Sequence, residues 1–390
     1  MELKTATKLG LTLGLMAAGL HLTDGSARAQ TISEPVKIGI VGPFSGNSAE
    51  QAQRIGNAVV IAVEEANAAG GLFGKPIKIE YGDDESQPEK ATLVSQRLID
   101  DESVLGVIGP LTSASALASG PLYQRAGLAF LTPTATNPRI TEQGWTVAFR
   151  VAGRDDREGP AAGLFINGEL KPKKVVAISD KTAFQAGNVN EVVRKLKELG
   201  TDATIEEVSA QDRDLSAIIT RIKTAGADVV YLGMAPGQCA LLLKQAAQAG
   251  AKFTPVSHSS NRERELFIKG SNGNAEGAYL TYNARDPRTV PEAKSFIERF
   301  EKRFKSTVSA YEPQAFDATN ILIKAIRTAG LKDGKVDREK VLAAIRSQDG
   351  YPGVMGISIK FDKKGDVEAA PIGIYKVVND DFVLVRSVSP

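Results

Sequence analysis

Neutral polar residues collect in two turns of the chain, each placed where a predicted strand ends and a helix begins. The first turn is Gly109–Ser113 and the second is Thr132–Pro138. Ligands of open parallel sheets bind in the crevice at the carboxyl ends of the strands, where helix N-termini offer unpaired N–H groups to an anion. Serine and threonine hydroxyls both donate and accept hydrogen bonds, so they can hold a zwitterion. Either turn alone could be a plain helix cap, but the two together predict a small-ligand site.

Sequence motifs for catalysis or cofactor binding are absent. The spacing Gly39-x-x-Gly42-x-x-x-Gly46 is not a dinucleotide fingerprint, and there is no Walker loop, nucleophile elbow or H-E-x-x-H motif. His258 stands among Ser257, Ser259 and Ser260, but neighbours in sequence are a weak triad signal and a polar loop is the preferred interpretation. The acidic run 83–85 has no companion ligands, which favours an acidic turn over a metal site. The sequence therefore predicts a protein that is not an enzyme and has neither metal nor cofactor.

The first 29 residues have the pattern of a secretory signal peptide. Lys4 and Lys8 precede the apolar stretch Leu9–Leu20, and Ala27-Arg28-Ala29 is a small-x-small cleavage sequence. This apolar stretch is too short to cross a bilayer core, which needs roughly 20 residues. Export with cleavage after Ala29 is therefore preferred to a short membrane anchor, and we expect a periplasmic protein.

The charge pattern argues against nucleic acid and against a membrane surface as partners. Lys and Arg number 48 against 46 Asp and Glu, a net charge of +2, and the two signs are interleaved. A nucleic-acid-binding protein would show a basic stripe. Cys239 is the only cysteine, so no intramolecular disulfide can form, and its apolar setting predicts a buried thiol.

Strand and helix patterns alternate along the chain in two series. Runs such as Val36–Gly42 and Val104–Ile108 are each followed by a helical stretch, and a second series of the same kind starts after Gly153. This alternation indicates βαβ units and parallel sheets. We predict an α/β fold of two doubly wound, Rossmann-like lobes with three later helices and a β-rich tail.

The run GVIGPLTSASALASGPLYQRAGLAFLTPTATNPRIT resembles the branched-chain amino-acid receptors, the type I periplasmic binding proteins that feed ABC importers. Four other segments resemble the same family in the same order: KIGIVGPFSG, NAAGGLFGKPIKIEYGDDESQPEKA, VVYLGMAPGQCALLLKQA and FDKKGDVEAAPIGIYKV. The resemblance implies two lobes joined by three hinge crossovers, which we place near residues 150–153, 278–282 and 369–371. Lobe 1 would then comprise residues 30–150 and 283–368, and lobe 2 residues 151–282 and 369–390.

The resemblance also implies ligand contacts at particular residues. The family's carboxylate-binding serine corresponds to Ser113, and two more contacts of the first lobe correspond to Thr134 and Thr136. An aromatic of the second lobe that covers the ligand corresponds to Phe184. Phe44 and Ser45 correspond to the cleft wall.

Two positions depart from the family's pattern. An aromatic that follows the strand Val229–Gly233 is replaced by Ala235, which predicts a larger pocket. The acid that pairs with the ligand's ammonium should lie near Ser257–Ser260, where this chain has none, while Glu263 and Glu265 are expected on a following helix. A buried ammonium without a counter-charge is costly. The ligand could therefore be an α-amino acid held by polar groups alone, or a carboxylate or amide that lacks the amine.

These observations predict an extracytoplasmic solute-binding protein. We expect it to capture an amino acid between its lobes as a monomer, and to deliver it to the membrane subunits of an ABC importer. A sensory receptor of the same fold is the main alternative. An exported α/β enzyme is a weaker one.

Overall fold

The computed structural model describes residues 32, 34–367 and 372–388. The predicted signal peptide and the predicted crossover at 369–371 lie outside the described residues. The strands are β1 Lys37–Gly42, β2 Lys78–Asp83, β3 Val104–Ile108, β4 Phe130–Thr132, β5 Ala148–Arg150, β6 Val175–Ser179, β7 Ala203–Glu207, β8 Val229–Gly233, β9 Thr254–Ser257, β10 Tyr279–Tyr282, β11 Tyr351–Pro352, β12 Ser358–Ile359, β13 Ile372–Val378 and β14 Asp381–Val388.

Helices follow most of the strands, as the alternating pattern predicts. They are α1 Ala49–Ala68, α2 Pro88–Asp100, α3 Ser113–Ala126, α4 Arg139–Glu142, α5 Asp155–Phe165, α6 Ala183–Glu198, α7 Ser216–Ala225, α8 Pro236–Gln248, α9 Lys294–Phe304, α10 Glu312–Ala329 and α11 Arg338–Arg346.

The first sheet is entirely parallel, in the order β2-β1-β3-β4-β5. Helices α1, α2 and α3 pack around it, and α10 and α11, from much later in the sequence, pack against β3. Every residue of β3 is buried, as expected for a strand covered on both faces. We call this body lobe 1.

The second sheet has seven strands in the order β14-β13-β10-β9-β8-β6-β7. The strands β6 to β10 run parallel, while β13 and β14 form an antiparallel hairpin on the β10 edge. Helices α5, α6, α7 and α8 belong to this body, which we call lobe 2. The molecule is thus an α/β protein of two doubly wound lobes, and the chain passes between the sheets after β5, after β10 and before β13.

Close packing of α5 on α6 explains why α5 is rich in glycine. A Cβ atom at Gly159 would lie 2.5 Å from Glu191 Cβ, and one at Gly163 would lie 2.8 Å from Lys195 Cγ. Only glycine lets the two helices approach so closely. This contact fixes the position of α5, whose Asp155 and Glu158 are fully buried.

Candidate functional site

A cavity lies between the lobes, at the carboxyl ends of the strands of both sheets. Its volume is about 140 Å³. A water molecule takes about 30 Å³ of liquid, so the cavity has room for on the order of five water molecules, which suits a small ligand and is much too small for a nucleotide. The lining of lobe 1 includes Gln51, Ser113, Thr134 and Tyr311, and that of lobe 2 includes Asp180, Phe184, Ala235 and Ser260.

The lobe 1 wall is formed by the N-terminus of α3 and the turn after β4. Thr112 caps α3, because its hydroxyl accepts a hydrogen bond from the Ser115 N–H at 3.2 Å. Ser113 and Ala114 come next and line the cavity, where the first N–H groups of the helix are available to an anion. The Thr134 hydroxyl donates to the Leu111 carbonyl at 2.6 Å, which ties the two turns together. The structure therefore brings Ser113 and Thr134 to one surface, as the sequence predicts.

Gly109 makes the sharp turn between β3 and α3 possible. Its φ is +104°, and a Cβ atom there would lie 2.5 Å from the Val41 carbonyl oxygen. The turn allows the Leu111 N–H to bond that same carbonyl at 2.9 Å. Glycine is required here because both the backbone conformation and the close approach exclude a side chain.

Thr136, Phe44 and Ser45 do not line the cavity. Thr136 is completely buried behind the wall, and its carbonyl accepts a hydrogen bond from the Asp155 N–H at 3.1 Å. The Phe44 ring packs edge-on against Tyr81, with ring centroids 5.1 Å apart, while Ser45 is exposed. Pro43 and Ser48, on either side of these two residues, line the cavity instead.

Phe184 forms part of the lobe 2 wall, as predicted. It lies in the first turn of α6, which Thr182 caps by accepting a hydrogen bond from the Gln185 N–H at 3.4 Å. The Phe184 ring packs edge-on against the His258 imidazole, with centroids 4.9 Å apart. Ala235 also lines the cavity, where a larger side chain would reduce the space for a ligand.

Two of the three serines around His258 donate their hydroxyl protons to other groups, and the third faces an imidazole that is a very weak base. Ser257 donates to the Leu232 carbonyl at 2.9 Å, and Ser259 donates to the Glu158 carboxylate at 2.6 Å. Ser260 lies 3.1 Å from His258 Nδ1, but burial lowers the pKa of the imidazole to about 3, so a proton taken up there would be held very weakly. No group of three or more metal-ligating side chains occurs among the described residues.

Two acids that lie near this segment are held away from the cavity. Glu158, on α5, accepts hydrogen bonds from the Ser259 N–H and hydroxyl and from the Thr281 hydroxyl, at 2.6–2.8 Å. Glu263 comes immediately before a short helical turn and forms a buried ion pair with Arg54 at 2.9 Å. Gln51, which lines the cavity, stands between the ligand space and Glu263, because its amide donates to Glu263 and to the Ser260 carbonyl at 3.3 Å.

Among the described residues that line the cavity, Asp180 is the one with a charged side chain, and sequence reasoning did not single it out. It follows the last residue of β6 and is 5% exposed. Burial raises the pKa of its carboxyl despite hydrogen bonds from Thr182. Its position one residue beyond a strand, at the edge of the sheet where ligands bind, is the signal that could have identified it.

The lobes contact each other across the cleft, so the structure is the closed form. Asn47 donates to Gln211 at 3.0 Å, Asn137 donates to the Ala183 carbonyl at 3.0 Å, and Gln51 reaches Ser260. In the part of the chain that the structure describes, no helix is long and apolar enough to span a bilayer.

Comparison with known proteins identifies the family. A family model described as periplasmic binding protein matches residues 35–381. The chain is 32% identical to Leu/Ile/Val-binding protein homolog 1 of Brucella suis over 93% of its own length and 94% of that protein. It is 31% identical to an amino acid binding protein of Pseudomonas aeruginosa, over 87% and 90% of the two chains.

A solved structure supports the same conclusion. The leucine binding protein LivK of Thermotoga maritima superposes with a TM-score of 0.82 at 28% identity, covering 91% of this chain and 99% of that one. The fold is therefore that of the type I periplasmic binding proteins, with its ligand cleft between two lobes. The chain belongs to the branched-chain amino-acid group of the periplasmic binding protein family, whose members are extracytoplasmic solute-binding proteins and not enzymes.

Proposed function

We propose that this protein captures a single amino acid between its lobes and hands it to the membrane subunits of an ABC importer. The observation that carries the proposal is the wall formed by Ser113 and Thr134, which presents the Ser113 hydroxyl, the Thr134 backbone and the N-terminus of α3 to a small cavity. The ligand carboxylate would bind there, and Phe184 would cover the ligand from the opposite lobe.

The surrounding residues support the same arrangement. We place Thr136 behind the wall, where it holds the turn against Asp155 at the start of α5. Phe44 and Ser45 would support the rim through Asp83, whose carboxylate accepts hydrogen bonds from both of their N–H groups at 2.9 and 3.3 Å. We also infer a periplasmic monomer that is cleaved after Ala29, with lobe boundaries at 150/151, 282/283 and 368/369.

Calorimetric titration tests the ligand assignment. The mature chain would be freed of carried-over ligand by unfolding and refolding, then titrated with the common amino acids and with simple carboxylates. We expect micromolar or tighter binding of an amino acid. If only amine-free carboxylates bind, the ligand is a carboxylate and not an amino acid. If none of the compounds binds, the proposal is wrong.

Ser113→Ala tests the site. Loss of a hydroxyl that bonds a buried carboxylate should weaken binding by about 1–3 kcal/mol, or about 5- to 150-fold. Ser119→Ala is the matched control, because Ser119 is a buried serine of the same helix that does not line the cavity. If both variants bind as tightly as the original protein, the carboxylate site lies elsewhere.

A further inference from the structure

Asp180 is the one charged side chain among the described residues that line the cavity, and neither lysine, arginine nor histidine stands with it in the wall. One oxygen of its carboxylate, Oδ1, accepts hydrogen bonds from the Thr182 N–H and hydroxyl at 3.0 and 2.7 Å. The Ala235 N–H also favours its charged form. These are neutral donors, so the negative charge has no protein cation in the cavity wall.

A buried carboxylate is costly unless a positive charge accompanies it. Two buried acids next to Ser257–Ser260, Glu263 and Glu158, already have such a partner or several donors. Glu263 is paired with Arg54, and Glu158 is held by three short hydrogen bonds away from the wall. Asp180 alone faces the ligand space, and burial raises the pKa of its carboxyl, as expected for a charge that lacks a partner.

We propose that Asp180 is the counter-charge for a cationic nitrogen of the ligand, so the bound species is an α-amino acid in its zwitterionic form. This inference rests on the proposed function and specifies the half of the site that the sequence left open. Lobe 1 holds the carboxylate at Ser113 and Thr134, and lobe 2 brings Asp180 to the ammonium. The two charged ends bind different lobes, so a zwitterionic ligand stabilises the closed form. A ligand without the amine instead leaves the Asp180 carboxylate buried and unpaired.

The test compares amino acids with their analogues that lack only the amine. The probes are leucine with 4-methylpentanoate, alanine with propanoate, and phenylalanine with 3-phenylpropanoate, each titrated into the wild-type chain and into Asp180→Asn. Asparagine keeps an oxygen that can accept from Thr182, so the turn before α6 is preserved. We expect the wild type to prefer an amino acid over its analogue by at least about 30-fold, and Asp180→Asn to lose most of this preference.

Glu263→Gln is the matched control, because it also removes a buried carboxylate near the cavity but one that is already paired. It should change the affinities for amino acid and analogue by the same factor. Equal weakening of both ligands by Asp180→Asn would overturn the inference and leave the proposed function intact. A wild type that binds an analogue as tightly as its amino acid would also overturn it, even if the variant fails to fold. Absence of binding to all three amino acids and their analogues would instead count against the proposed function itself.

Discussion

His258 is fully buried, in contact with the rings of Phe184 and Tyr231. In this apolar setting the charged imidazolium is disfavoured, which lowers the pKa to about 3 from an ordinary value of 6.5. In the sequence, His258 stands among Ser257, Ser259 and Ser260, a combination of residue types that also occurs in catalytic sites. Because His258 is buried against these rings, its role is to pack behind the aromatic wall of the candidate site and not to act as a base.

The shift predicts acid destabilisation. Below pH 6.5 the unfolded chain binds a proton at His258 while the folded chain does not, so stability is lost as the pH falls from about 6.5 towards 3. Between pH 7 and pH 5 this loss should be about 2 kcal/mol. Urea unfolding of wild type and His258→Gln at both pH values measures it, because the variant lacks the titrating group. A difference between the two proteins that does not change with pH would contradict the prediction.

At the residue scale, the sequence located those residues of the candidate site at which a strand end or helix start coincides with a hydroxyl. Ser113 and Thr134 could be located because strand ends and helix starts leave a clear pattern. Asp180 was missed although its position just beyond β6 is such a pattern, and Gln51 could not be located, because nothing local distinguishes an amide that faces a cleft from one that faces water. The position of Gln51 depends on how the two lobes close, which brings this residue of α1 against Ser260 of the other lobe.

At the scale of elements, most helices and strands could be predicted, and the errors have local causes. α6 begins at Ala183 because Thr182 caps it there. The helix α5 was not predicted, because the glycines and the proline within Asp155–Phe165 have low helix propensity. It is stable through its contact with α6, which only the folded structure reveals. The predicted β-rich tail includes a hairpin, β13–β14, that turns at Asn379 and Asp380 with positive φ at both.

Two glycines in helices should respond in opposite ways to alanine. A Cβ atom at Gly120, in α3, would lie 2.1 Å from Trp145, so Gly120→Ala should lower the free energy of unfolding by about 1–3 kcal/mol. Gly237, in α8, has nothing within 4 Å of its Cβ position, so Gly237→Ala should raise it by up to about 1 kcal/mol. Urea unfolding measures both changes.

Trp145 provides an independent check, since it is the only tryptophan of the chain. Gly120→Ala should alter its fluorescence in the folded state by displacing the ring, and Gly237→Ala should leave it unchanged. Two variants of equal stability with identical emission would show that the contact between α3 and Trp145 tolerates a methyl group.

At the scale of the whole molecule, a buried ion pair joins the lobes behind the cavity wall. Arg54, on α1 of lobe 1, pairs with Glu263 of lobe 2 at 2.9 Å, and both side chains are almost fully buried. Arg54 is also held within lobe 1, because its Nε and Nη2 donate to Glu312 at 3.1 and 3.0 Å. Its guanidinium is therefore already oriented when the lobes separate, and the pair with Glu263 stabilises the closed form specifically.

Glu263→Gln should consequently shift the molecule towards the open form. If closure loses about 1–3 kcal/mol of stabilisation, the apparent affinity for the ligand falls by about 5- to 150-fold. In solution scattering, the ligand-free variant should have a radius of gyration at least as large as that of the ligand-free wild type. The variant should also need more ligand than the wild type to reach the compact form. The affinity lost should be the same for ligands with and without an amine, since the change acts on the lobes and leaves the cavity wall in place.

Glu64→Gln provides the control on the same helix. Glu64 pairs with Arg303 at 3.3 Å, but both side chains are exposed and both belong to lobe 1, so the pair does not cross the cleft. Exposed ion pairs contribute little to stability, and this variant should bind as the wild type does. A Glu263→Gln protein that also keeps the wild-type affinity and the wild-type scattering curve would show that closure depends on the ligand and on the other contacts between the lobes, such as those of Asn47, Gln51 and Asn137. Weakening confined to Glu263→Gln would establish Arg54 and Glu263 as a contact that couples lobe closure to ligand affinity from behind the cavity wall.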